Sequence, residues 1–408
     1  MFPGMQLESD YINEKDLHRK LQKVKHKNDD DFEVDPSFKG NRARVLTYNL
    51  FLRPLVKTNL SDHKYERLEE FSTVMDQYDI ICNQEVFNGL NSFKSTLLTL
   101  ANKTGFLYHH WASRPGFFSK FAIDSGLTIL SRFPIVDKDE ITFNYFTAEC
   151  SAGKKGALYA KIEMHGHYLH LFNTHLQANY YPNFHQYEKW INNRMHQLLE
   201  LAEFVKDKTD NMDSSDRIMV VGDFNISSRN FNNVLKDHLI EKAKMDEGFK
   251  IFLEEGFDCV EEYRVMKRIL SWDGTFVIKD YKDAISDEEG GPSTFGGVKI
   301  FQDGTRGPVE TTLSGIHDLM TEQSIDYILE FVRDDIQDVQ KTRINSSKKM
   351  MINTNNHLSV EKDNENYNED NFRFDPSSMK VEEFFVEGQE FSTMSDHFGL
   401  SIYLNIDN

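Results

Sequence analysis

The chain has 408 residues, of which 39% are apolar, and its 32 phenylalanines are enough to fill a substantial core. Its 47 Lys and Arg residues face 66 Asp and Glu residues, so the formal net charge is −19, which argues against tight binding to nucleic acid and to strongly anionic leaflets because both depend on basic side chains. The three cysteines, Cys82, Cys150 and Cys259, are too few and too scattered for a disulfide framework, and a reducing compartment fits them best.

The start of the chain differs in composition from the rest. Residues 1–40 are charged and carry no apolar pattern, so we predict a flexible N-terminal segment. Residues 41–408 are long for one domain, but chains built on large sheets reach this length as a single domain with insertions. No stretch approaches the roughly 18 apolar residues of a membrane-spanning helix, and the first residues lack the apolar region of a secretory signal.

Helical periodicity appears in two places. A helix predicted over residues 63–77 carries Leu68, Phe71 and Met75 on one face, and a second helix is predicted over residues 185–205. Several β-rich runs lie between and after the first helix, at residues 125–131, 140–146, 156–164 and 168–173. Strands interleaved with amphipathic helices indicate the α/β class.

Two segments have the character of insertions. Residues 231–291 include apolar side chains at mostly helical spacing, so we predict an ordered insertion there. Residues 341–371 hold eight Asn, charges of both signs and almost no aromatic side chains. Such a composition buries too little apolar surface to fold alone, so we predict a disordered surface loop.

Polar residues that can bind metal or phosphate follow or interrupt apolar, strand-like runs. In chain order they are Asn49, Glu85, His175, Asp223 with Asn225, Asp326, and Asp396 with His397. Hydrolysis of a phosphoester needs a divalent cation, a general base and donors for the developing charge, and the set contains residue types for all three. Any one of these residues alone is more often a turn or cap residue. Their recurrence along the chain favours a hydrolytic site.

The carboxylates and amides of this set suit a metal–phosphate centre. Glu85 ends an apolar run, where its carboxylate projects from the rim of a sheet, and Asn49 supplies a neutral amide oxygen; Mg²⁺ takes one or two such protein ligands together with phosphate oxygens. Asp223 and Asn225 can point to the same side of an extended or tightly turned backbone and offer oxygens to one centre. Gly222 relieves crowding where the backbone approaches the ligand.

The two histidines of the set, His175 and His397, are the candidates for proton transfer. With an ordinary pKa near 6.5, one of them takes a proton from water while the other donates to the phosphoryl oxygen or the leaving group. A buried carboxylate must hold the base in one tautomer. Asp326 is the candidate because it interrupts an apolar strand, where an unpaired charge would be costly.

These motifs resemble the endonuclease/exonuclease/phosphatase superfamily and, within it, the neutral sphingomyelinases. The marks of the superfamily are Gln-Glu at 84–85, Gly-Asp-Phe-Asn at 222–225, Ile-Asp-Tyr at 325–327 and Ser-Asp-His at 395–397. The marks of the sphingomyelinase branch are Thr-Tyr-Asn-Leu at 47–50, the run at 125–135, Lys-Gly at 155–156 and Phe-Asn-Thr-His-Leu-Gln-Ala at 172–178. Together the marks extend over about residues 44–331 and 384–404.

The resemblance implies a four-layer αββα sandwich, in which two mixed sheets pack face to face with helices outside, as in DNase I. It implies Mg²⁺-dependent hydrolysis of the phospholipase C type, with Mn²⁺ able to substitute, that converts sphingomyelin to ceramide and phosphocholine and also accepts lysocholine phospholipids such as lysophosphatidylcholine. The expected partners are choline phospholipids and a membrane surface, without nucleic acid. Since neither a secretory signal nor a C-terminal transmembrane hairpin is evident, we expect a location on the cytoplasmic side, peripheral to membranes.

The resemblance also implies roles for single residues. Glu85 would be the main Mg²⁺ ligand, with Asn49 beside it. Asp396 would support the metal or the water. His397 would be the general base, oriented by Asp326.

Three further residues would contact the substrate by the same resemblance, and Lys155 is a fourth candidate. His175, Asp223 and Asn225 would bind the phosphoryl group and stabilise its transition state. Lys155 lies in the segment Gly153-Lys-Lys-Gly156, which is similar to a lysine–glycine element of the sphingomyelinase branch but lacks the spacing of a nucleotide-binding loop. Lys155 therefore either contacts phosphate or is solvated.

Membrane contact would depend on surface side chains. Phe117, Phe118 and Phe121 are the candidates because aromatic residues beside Arg114 and Lys120 suit an interface. Ordinary core packing is the alternative explanation for these aromatics.

Three other functions are open to such a chain. A nuclease of the superfamily would use the same site, but the acidic charge opposes it. A phosphoinositide phosphatase would need a basic ring around its substrate, and its usual Trp-Cys-Asp-Arg motif is replaced by Ser-Ile-Asp-Tyr at residues 324–327. A catalytically inactive lipid-binding scaffold would have lost a carboxylate or a histidine of the set, and none is lost.

Overall fold

The computed structural model describes residues 40–53, 62–87, 93–116, 121, 123–147, 153–179, 187–229, 259–285, 290–315, 318–319, 321–333 and 372–406. The predicted N-terminal segment 1–40, except for its last residue, lies outside these ranges. So do the Asn-rich segment 341–371 and the first part of the predicted insertion at 231–291.

The described part of the chain contains sixteen strands and four α-helices. The strands are, in chain order, Arg42–Leu52 (β1), Ile80–Val86 (β2), Tyr108–Trp111 (β3), Thr128–Ser131 (β4), Ile135–Thr142 (β5), Gly156–Met164 (β6), His167–His175 (β7), Arg217–Asp223 (β8), Phe276–Asp280 (β9), Phe295–Gly296 (β10), Val298–Ile300 (β11), Arg306–Pro308 (β12), Glu322–Gln323 (β13), Asp326–Arg333 (β14), Arg373–Glu382 (β15) and Gly399–Asn405 (β16). The helices are Lys64–Ser72 (α1), Phe93–Lys103 (α2), Tyr187–Thr209 (α3) and Cys259–Leu270 (α4). Two short 3₁₀ helices cover Met75–Gln77 and Tyr281–Ala284.

The first large sheet has the strand order β15-β16-β1-β2-β4-β3. Its central strands β1 and β2 run parallel, and β16 is antiparallel to β1. Both central strands are buried along most of their length, which explains their nearly continuous apolar sequences. The ends of β1 and β2 therefore lie at the same edge of the sheet as the beginning of β16.

The second large sheet has the strand order β5-β6-β7-β8-β14-β9. Here β7 and β8 run parallel and pair His175 with Asp223 at their last residues, while β14 runs antiparallel to β8 and pairs its first residue, Asp326, with Asp223. The ends of β7 and β8 and the beginning of β14 thus share one edge. Two small antiparallel pairs, β10 with β13 and β11 with β12, complete the described strands.

The two large sheets pack face to face, with β1 and β2 of the first against β7, β8 and β14 of the second. Buried amides join them in the middle of the interface. The Gln84 side chain donates to Oδ1 of Asn173 at 2.7 Å, and Nδ2 of Asn173 donates to the carbonyl oxygens of Asn83 and Thr128, each at 2.9 Å. All four residues have no solvent exposure, so these bonds satisfy polar groups that would otherwise be costly to bury.

Helices cover the outer faces. On the second sheet, Leu198 and Val205 of α3 and Met266 of α4 join one apolar cluster with Phe172 and Val220 of the strands. On the first sheet, Phe71 of α1 lies 5.7 Å, ring centre to ring centre, from Tyr48 of β1. The order of layers is helix, sheet, sheet, helix, and the predicted four-layer α/β sandwich is confirmed.

Most of the predicted elements are present, with shifted ends. The face of the first predicted helix is confirmed, since Leu68, Phe71 and Met75 are all buried. The strand predicted at 140–146 is instead Ile135–Thr142, because pairing with β6 carries the strand back through an exposed, charged stretch. None of the helices in the described ranges is long and apolar enough to cross a bilayer.

Candidate active site

The residues predicted from sequence to form a site converge on the edge where the strand ends of both large sheets meet. Glu85 lies near the end of β2, and His175 and Asp223 are the last residues of β7 and β8. Asp326 is the first residue of β14 rather than an interior one, and His397 stands two residues before β16. Antiparallel pairing explains why the beginnings of β14 and β16 meet the ends of the other strands.

His397 and Asp326 form a buried pair. Nδ1 of His397 lies 2.9 Å from Oδ2 of Asp326, and the two residues are 4% and 2% exposed. Nε2 of His397 faces the other polar groups, 3.3 Å from Nδ2 of Asn49 and 3.8 Å from Oδ2 of Asp223. The ring of Phe295 packs edge-on against the imidazole at 4.8 Å between ring centres. The carboxylate thus holds one ring nitrogen and leaves the other for proton transfer.

The charge state of His397 follows from its neighbours. Burial lowers the pKa of His397, but the carboxylates of Asp326 and Asp223 outweigh burial and raise this pKa to about 10. In the absence of a cation, the imidazole is therefore protonated at neutral pH. Positive charge placed near the carboxylates would weaken their hold on this proton.

Asp223 is the centre of the polar cluster. Its Oδ2 accepts from Nδ2 of Asn49 at 3.0 Å and lies 3.3 Å from Nε2 of His175. Its Oδ1 accepts from the backbone N–H of Asn225 at 2.9 Å, in a turn where Asn225 has a φ of 52°. Burial raises the pKa of Asp223 to about 7. The preceding Gly222 has a φ of 137°, and a Cβ there would lie 2.0 Å from the carbonyl oxygen of Thr174.

His175 and Lys155 line the side of the site formed by the second sheet. Burial, together with the charges of Lys155 and His397, lowers the pKa of His175 well below its ordinary 6.5, so its imidazole is neutral. Nδ1 of His175 is buried without a hydrogen-bond partner. Lys155 is 8% exposed and precedes Gly156, which pairs with His175. Lys155 is thus largely buried, and its contact with phosphate stays a prediction.

Glu85 lies within the same cluster. Its Oε1 lies 3.5 Å from Nδ2 of Asn49 and 4.0 Å from Nε2 of His175. Its Oε2 is buried and makes no hydrogen bond, although Nε of Arg53 lies 3.4 Å away. The backbone at Glu85 has a φ of 60°, an unusual conformation for a residue other than glycine that turns the chain at the sheet edge.

Asn49 lies in the site, but it presents its amide nitrogen there and not the predicted amide oxygen. Strand β1 continues to Leu52 instead of ending at Asn49, and the backbone N–H of Phe51 donates to Oδ1 of Asn49 at 3.0 Å. The amide oxygen is therefore used locally, and Nδ2 faces the carboxylates. In this orientation Asn49 is a donor rather than an oxygen ligand of a cation.

The residues present fit a divalent cation. Burial raises the pKa of Asp396 to about 6, and the negative charge of Glu85 contributes to this increase. Ligand atoms of Asp223, Asp326 and His397 also lie within 4.8 Å of one another, but Asp326 and His397 already hydrogen-bond each other. Several buried carboxylates form an oxygen donor set of the kind that Mg²⁺ prefers, together with the Glu85 oxygen that makes no hydrogen bond but lies 3.4 Å from Nε of Arg53.

Of the three predicted membrane contacts, the structure bears only on Phe121. Phe117 and Phe118 lie outside the described residues. Phe121 is 7% exposed and packs edge-on against Phe146 at 5.0 Å, so its ring belongs to the interior. Ile300 and Phe301, at the turn between β11 and β12, are instead 68% and 45% exposed. The sequence prediction missed them because two adjacent apolar residues between Lys299 and Gln302 form no pattern.

Sequence reasoning also missed residues that hold the site in place. Arg53 stacks on the ring of Phe51 at 3.9 Å and approaches Glu85. The Ser395 hydroxyl donates to the carbonyl oxygen of Asn49 at 2.6 Å and accepts from the backbone N–H of His397 at 3.2 Å. The Ser-Asp-His motif drew attention to residues 395–397, but no sequence signal pairs Ser395 with Asn49.

Comparison with known proteins agrees with this architecture. A sequence profile described as the Endonuclease/Exonuclease/phosphatase family matches residues 46–281. A sphingomyelinase of Dictyostelium discoideum is 28% identical over 377 residues, which are 86% of this chain and 76% of that protein. A sphingomyelinase C of Bacillus cereus is 27% identical over 208 residues, 48% of this chain and 60% of that protein, so the match spans less than two thirds of this relative.

Among solved structures, a beta toxin from Staphylococcus aureus aligns with a TM-score of 0.50 and 16% sequence identity. The alignment covers 88% of this chain and 99% of that chain. At this identity the likeness concerns the fold, and it agrees with the two face-to-face sheets described above.

Proposed function

This chain belongs to the endonuclease/exonuclease/phosphatase family, and we propose that it is a metal-dependent phosphodiesterase of the phospholipase C type that hydrolyses sphingomyelin to ceramide and phosphocholine. The observation that carries the proposal is the His397–Asp326 pair. Asp326 holds Nδ1 of the imidazole, and Nε2 of His397 faces the carboxylate and amide cluster around Asp223. The relatives named as sphingomyelinases support the choice of substrate within the family.

In the proposed reaction, Nε2 of His397 takes a proton from the attacking water. The Asp326 carboxylate, 2.9 Å from Nδ1, fixes the tautomer and stabilises the imidazolium that forms. The water oxygen bonds to phosphorus, and the bond between phosphorus and the lipid-side oxygen breaks. The lipid alkoxide must gain a proton, and the imidazolium is a source of that proton.

Donors around the phosphoryl group would stabilise the transition state. The neutral imidazole of His175 can donate one N–H, and Nδ2 of Asn49 faces the same space. Nδ2 of Asn225 donates to the carbonyl oxygen of Leu176 at 3.2 Å, so the amide is held in place at the rim. Fixed donors of this kind act on the charge that develops during attack, without reorganisation. Lys155 adds positive charge close to His175.

Glu85, supported by Asp396, would hold the cation. Mg²⁺ is the proposed ion and Mn²⁺ a substitute, because the donors are oxygens. A bound ion would supply positive charge that offsets the carboxylates, lowers the pKa of His397 towards neutrality and polarises the phosphoryl oxygens. Because Glu85 and Asp396 would hold the ion, Asp223 would serve as a hydrogen-bond acceptor and charge partner for His175 and His397.

Contact with a lipid surface is proposed for the β11–β12 hairpin. Its tip exposes Ile300 and Phe301, and exposed apolar pairs of this kind suit the interface of a bilayer. The hairpin follows directly on Phe295, whose ring packs against His397. The hairpin therefore begins close in sequence to a residue that packs against the candidate base.

The test is hydrolysis of a headgroup-labelled substrate panel by purified protein, with added Mg²⁺ and with EDTA. The panel contains sphingomyelin, lysophosphatidylcholine, phosphatidylcholine, a phosphoinositide and single-stranded DNA. We expect labelled phosphocholine from sphingomyelin, with solvent oxygen-18 in the phosphocholine and no turnover in EDTA. Release of free choline, or faster hydrolysis of DNA or the phosphoinositide, would refute the assignment.

Two variants make the result specific to the site. His397→Ala should lower kcat by several orders of magnitude with little change in lipid binding, since it removes the base. His196→Ala, an exposed histidine on α3, is the matched control and should retain activity. Equal activity of the two variants would remove His397 from the mechanism.

A further inference from the structure

Arg67 is a fully buried cation behind the active site. It lies on α1 and is 1% exposed, although arginine is one of the residue types least often buried. Its guanidinium donates four hydrogen bonds of 2.8 Å to backbone carbonyl oxygens: Nε to Asp62, Nη1 to Leu50 and Met394, and Nη2 to Phe51. A buried charge with this many partners is compensated by the dipoles of the carbonyl groups.

Three of these carbonyls belong to the two chain segments that carry site residues. Leu50 and Phe51 directly follow Asn49. Met394 precedes Ser395, Asp396 and His397. One guanidinium thus bridges the segment after Asn49 and the segment before Ser395, and Met394 lies 327 residues from Arg67 in sequence.

Arg67 makes these hydrogen bonds where strand pairing does not hold the end of β1 in place. Pairing between β1 and β2 is interrupted after Asn49 and resumes at Leu52, and Phe51 has a φ of 51°. The pairing of β1 with β16 ends at Thr47. The carbonyls of Leu50 and Phe51 therefore receive from Arg67 the hydrogen bonds that a regular ladder would otherwise supply.

A second contact joins the same two segments from the side of the site. The Ser395 hydroxyl donates to the carbonyl oxygen of Asn49 at 2.6 Å and accepts from the N–H of His397 at 3.2 Å. With Arg67 on one side and Ser395 on the other, the distance of 3.3 Å between Nδ2 of Asn49 and Nε2 of His397 is set by backbone contacts of both segments.

We propose that Arg67 is a positioning residue of the active site, whose guanidinium fork fixes the segment bearing Asn49 relative to the segment bearing Asp396 and His397. It does not touch substrate; it acts through the two backbones. The proposal rests on the proposed function only for the choice of lipid substrate. Because the fork donates along several directions at once, lysine with its single nitrogen cannot replace it, although it retains the charge.

The test compares Arg67→Lys and Arg67→Met with Arg132→Met. Arg132 is a control because its Nε also donates to a backbone carbonyl, that of Tyr78 at 2.9 Å, but at the opposite end of β2 from Glu85. Its side chain is 22% exposed. Each variant is measured for its thermal midpoint, for kcat and KM, and for hydrogen exchange of the backbone amides of residues 395–398.

Kinetics use sphingomyelin and also bis(p-nitrophenyl) phosphate, a phosphodiester without a lipid. Below the thermal midpoint of each variant, we expect both Arg67 variants to lose about 10²-fold in kcat on either substrate, because small displacements of reacting groups have effects of this size. KM should change less than about threefold by the same argument. Amide exchange at residues 395–398 should accelerate in both variants and not in Arg132→Met.

Two results would overturn the proposal. One is a kcat loss in Arg67→Lys no larger than that of Arg132→Met when both retain folded spectra. The other is unchanged amide exchange at residues 395–398 in the Arg67 variants. Amide exchange needs no substrate, so it tests the positioning role of Arg67 independently of the lipid substrate. Activity on bis(p-nitrophenyl) phosphate but not on sphingomyelin would contradict only the proposed function.

Discussion

Replacing Asp326 with asparagine removes one charge from the site and keeps the size of the side chain. In the cation-free protein, the carboxylates of Asp326 and Asp223 hold the pKa of His397 at about 10 against an ordinary 6.5. A difference of this size corresponds to about 5 kcal/mol of preference for the protonated imidazole. Asp326, in direct contact at 2.9 Å, is the larger contributor of the two carboxylates. Loss of its charge should lower the pKa of His397 by roughly 1 to 3.

The same substitution should lower catalysis through the tautomer. The introduced amide can present either its oxygen or its NH₂ group to Nδ1, so the proton is no longer held there and Nε2 is not reliably free. For a histidine base oriented by a carboxylate, this change costs about 10³- to 10⁴-fold in kcat. Lipid binding should change little, since Asp326 is buried behind the imidazole.

Two measurements check this prediction. The pKa of His397 is read from NMR titration of its imidazole signal in EDTA, with the signal assigned by its loss in His397→Ala, and kcat is measured with Mg²⁺. Asp216→Asn is the matched control, since Asp216 is buried 3.5 Å from Nε2 of His170 outside the site. It should lower the thermal midpoint and leave kcat unchanged. An unchanged pKa of His397 in Asp326→Asn, or equal kcat losses in both variants, would refute the reasoning.

Three further predictions concern the cation, the pH and the lipid surface. Glu85→Gln should abolish Mg²⁺-dependent turnover without loss of folded structure, because an amide is a weak ligand for Mg²⁺. Calorimetric titration with Mg²⁺ checks this prediction, and Glu203→Gln, on the exposed side of α3, is the control. A normal metal response of Glu85→Gln would contradict the assignment. Burial raises the pKa of Asp223 to about 7 and that of Asp396 to about 6, above their ordinary 3.8. Between the ordinary pKa of 3.8 and the raised values, the folded protein without cation therefore binds more protons than the unfolded chain. The free energy of unfolding should consequently fall as the pH rises through this interval. Thermal midpoints in EDTA at about pH 5 and about pH 8 test the sign, and a higher midpoint at the higher pH would show that these groups do not govern stability. Replacing both Ile300 and Phe301 with Ser should weaken sedimentation with sphingomyelin vesicles and spare hydrolysis of bis(p-nitrophenyl) phosphate. The control Val277→Ser, at a residue of β9 that is 39% exposed, should leave both measurements unchanged. Equal loss in both assays would argue against a surface-contact role.

The sequence by itself determined the position of those strands and helices whose apolar residues follow a regular local period. Strand β6 has the predicted bounds, 156 and 164, because its apolar residues and the flanking glycine are local signals. The predicted helix at 185–205 is the helix Tyr187–Thr209, since an apolar stripe continues for several turns and its end is the least constrained part. The motif residues meet at one edge because parallel strands bring like ends together.

Local pattern was insufficient where pairing or burial comes from distant residues. Strand β5 carries a run of exposed, charged side chains and is extended because β6 pairs with it. Phe121 has the sequence surroundings of an interfacial residue, but Phe146 covers its ring. The extended or buried state of such residues depends on a neighbour that their own sequence does not specify.

Only the tertiary structure decided how the site groups face one another. The amide of Asn49 presents its nitrogen to the carboxylates because the chain turns at Phe51, whose N–H takes the oxygen. By residue type alone Arg67 would be expected in solvent. It is buried because backbone carbonyls from residue 394 and from the end of β1 meet at its guanidinium. Amino-acid type sets which donors and acceptors a residue has, whereas the position of its partners is a property of the folded chain.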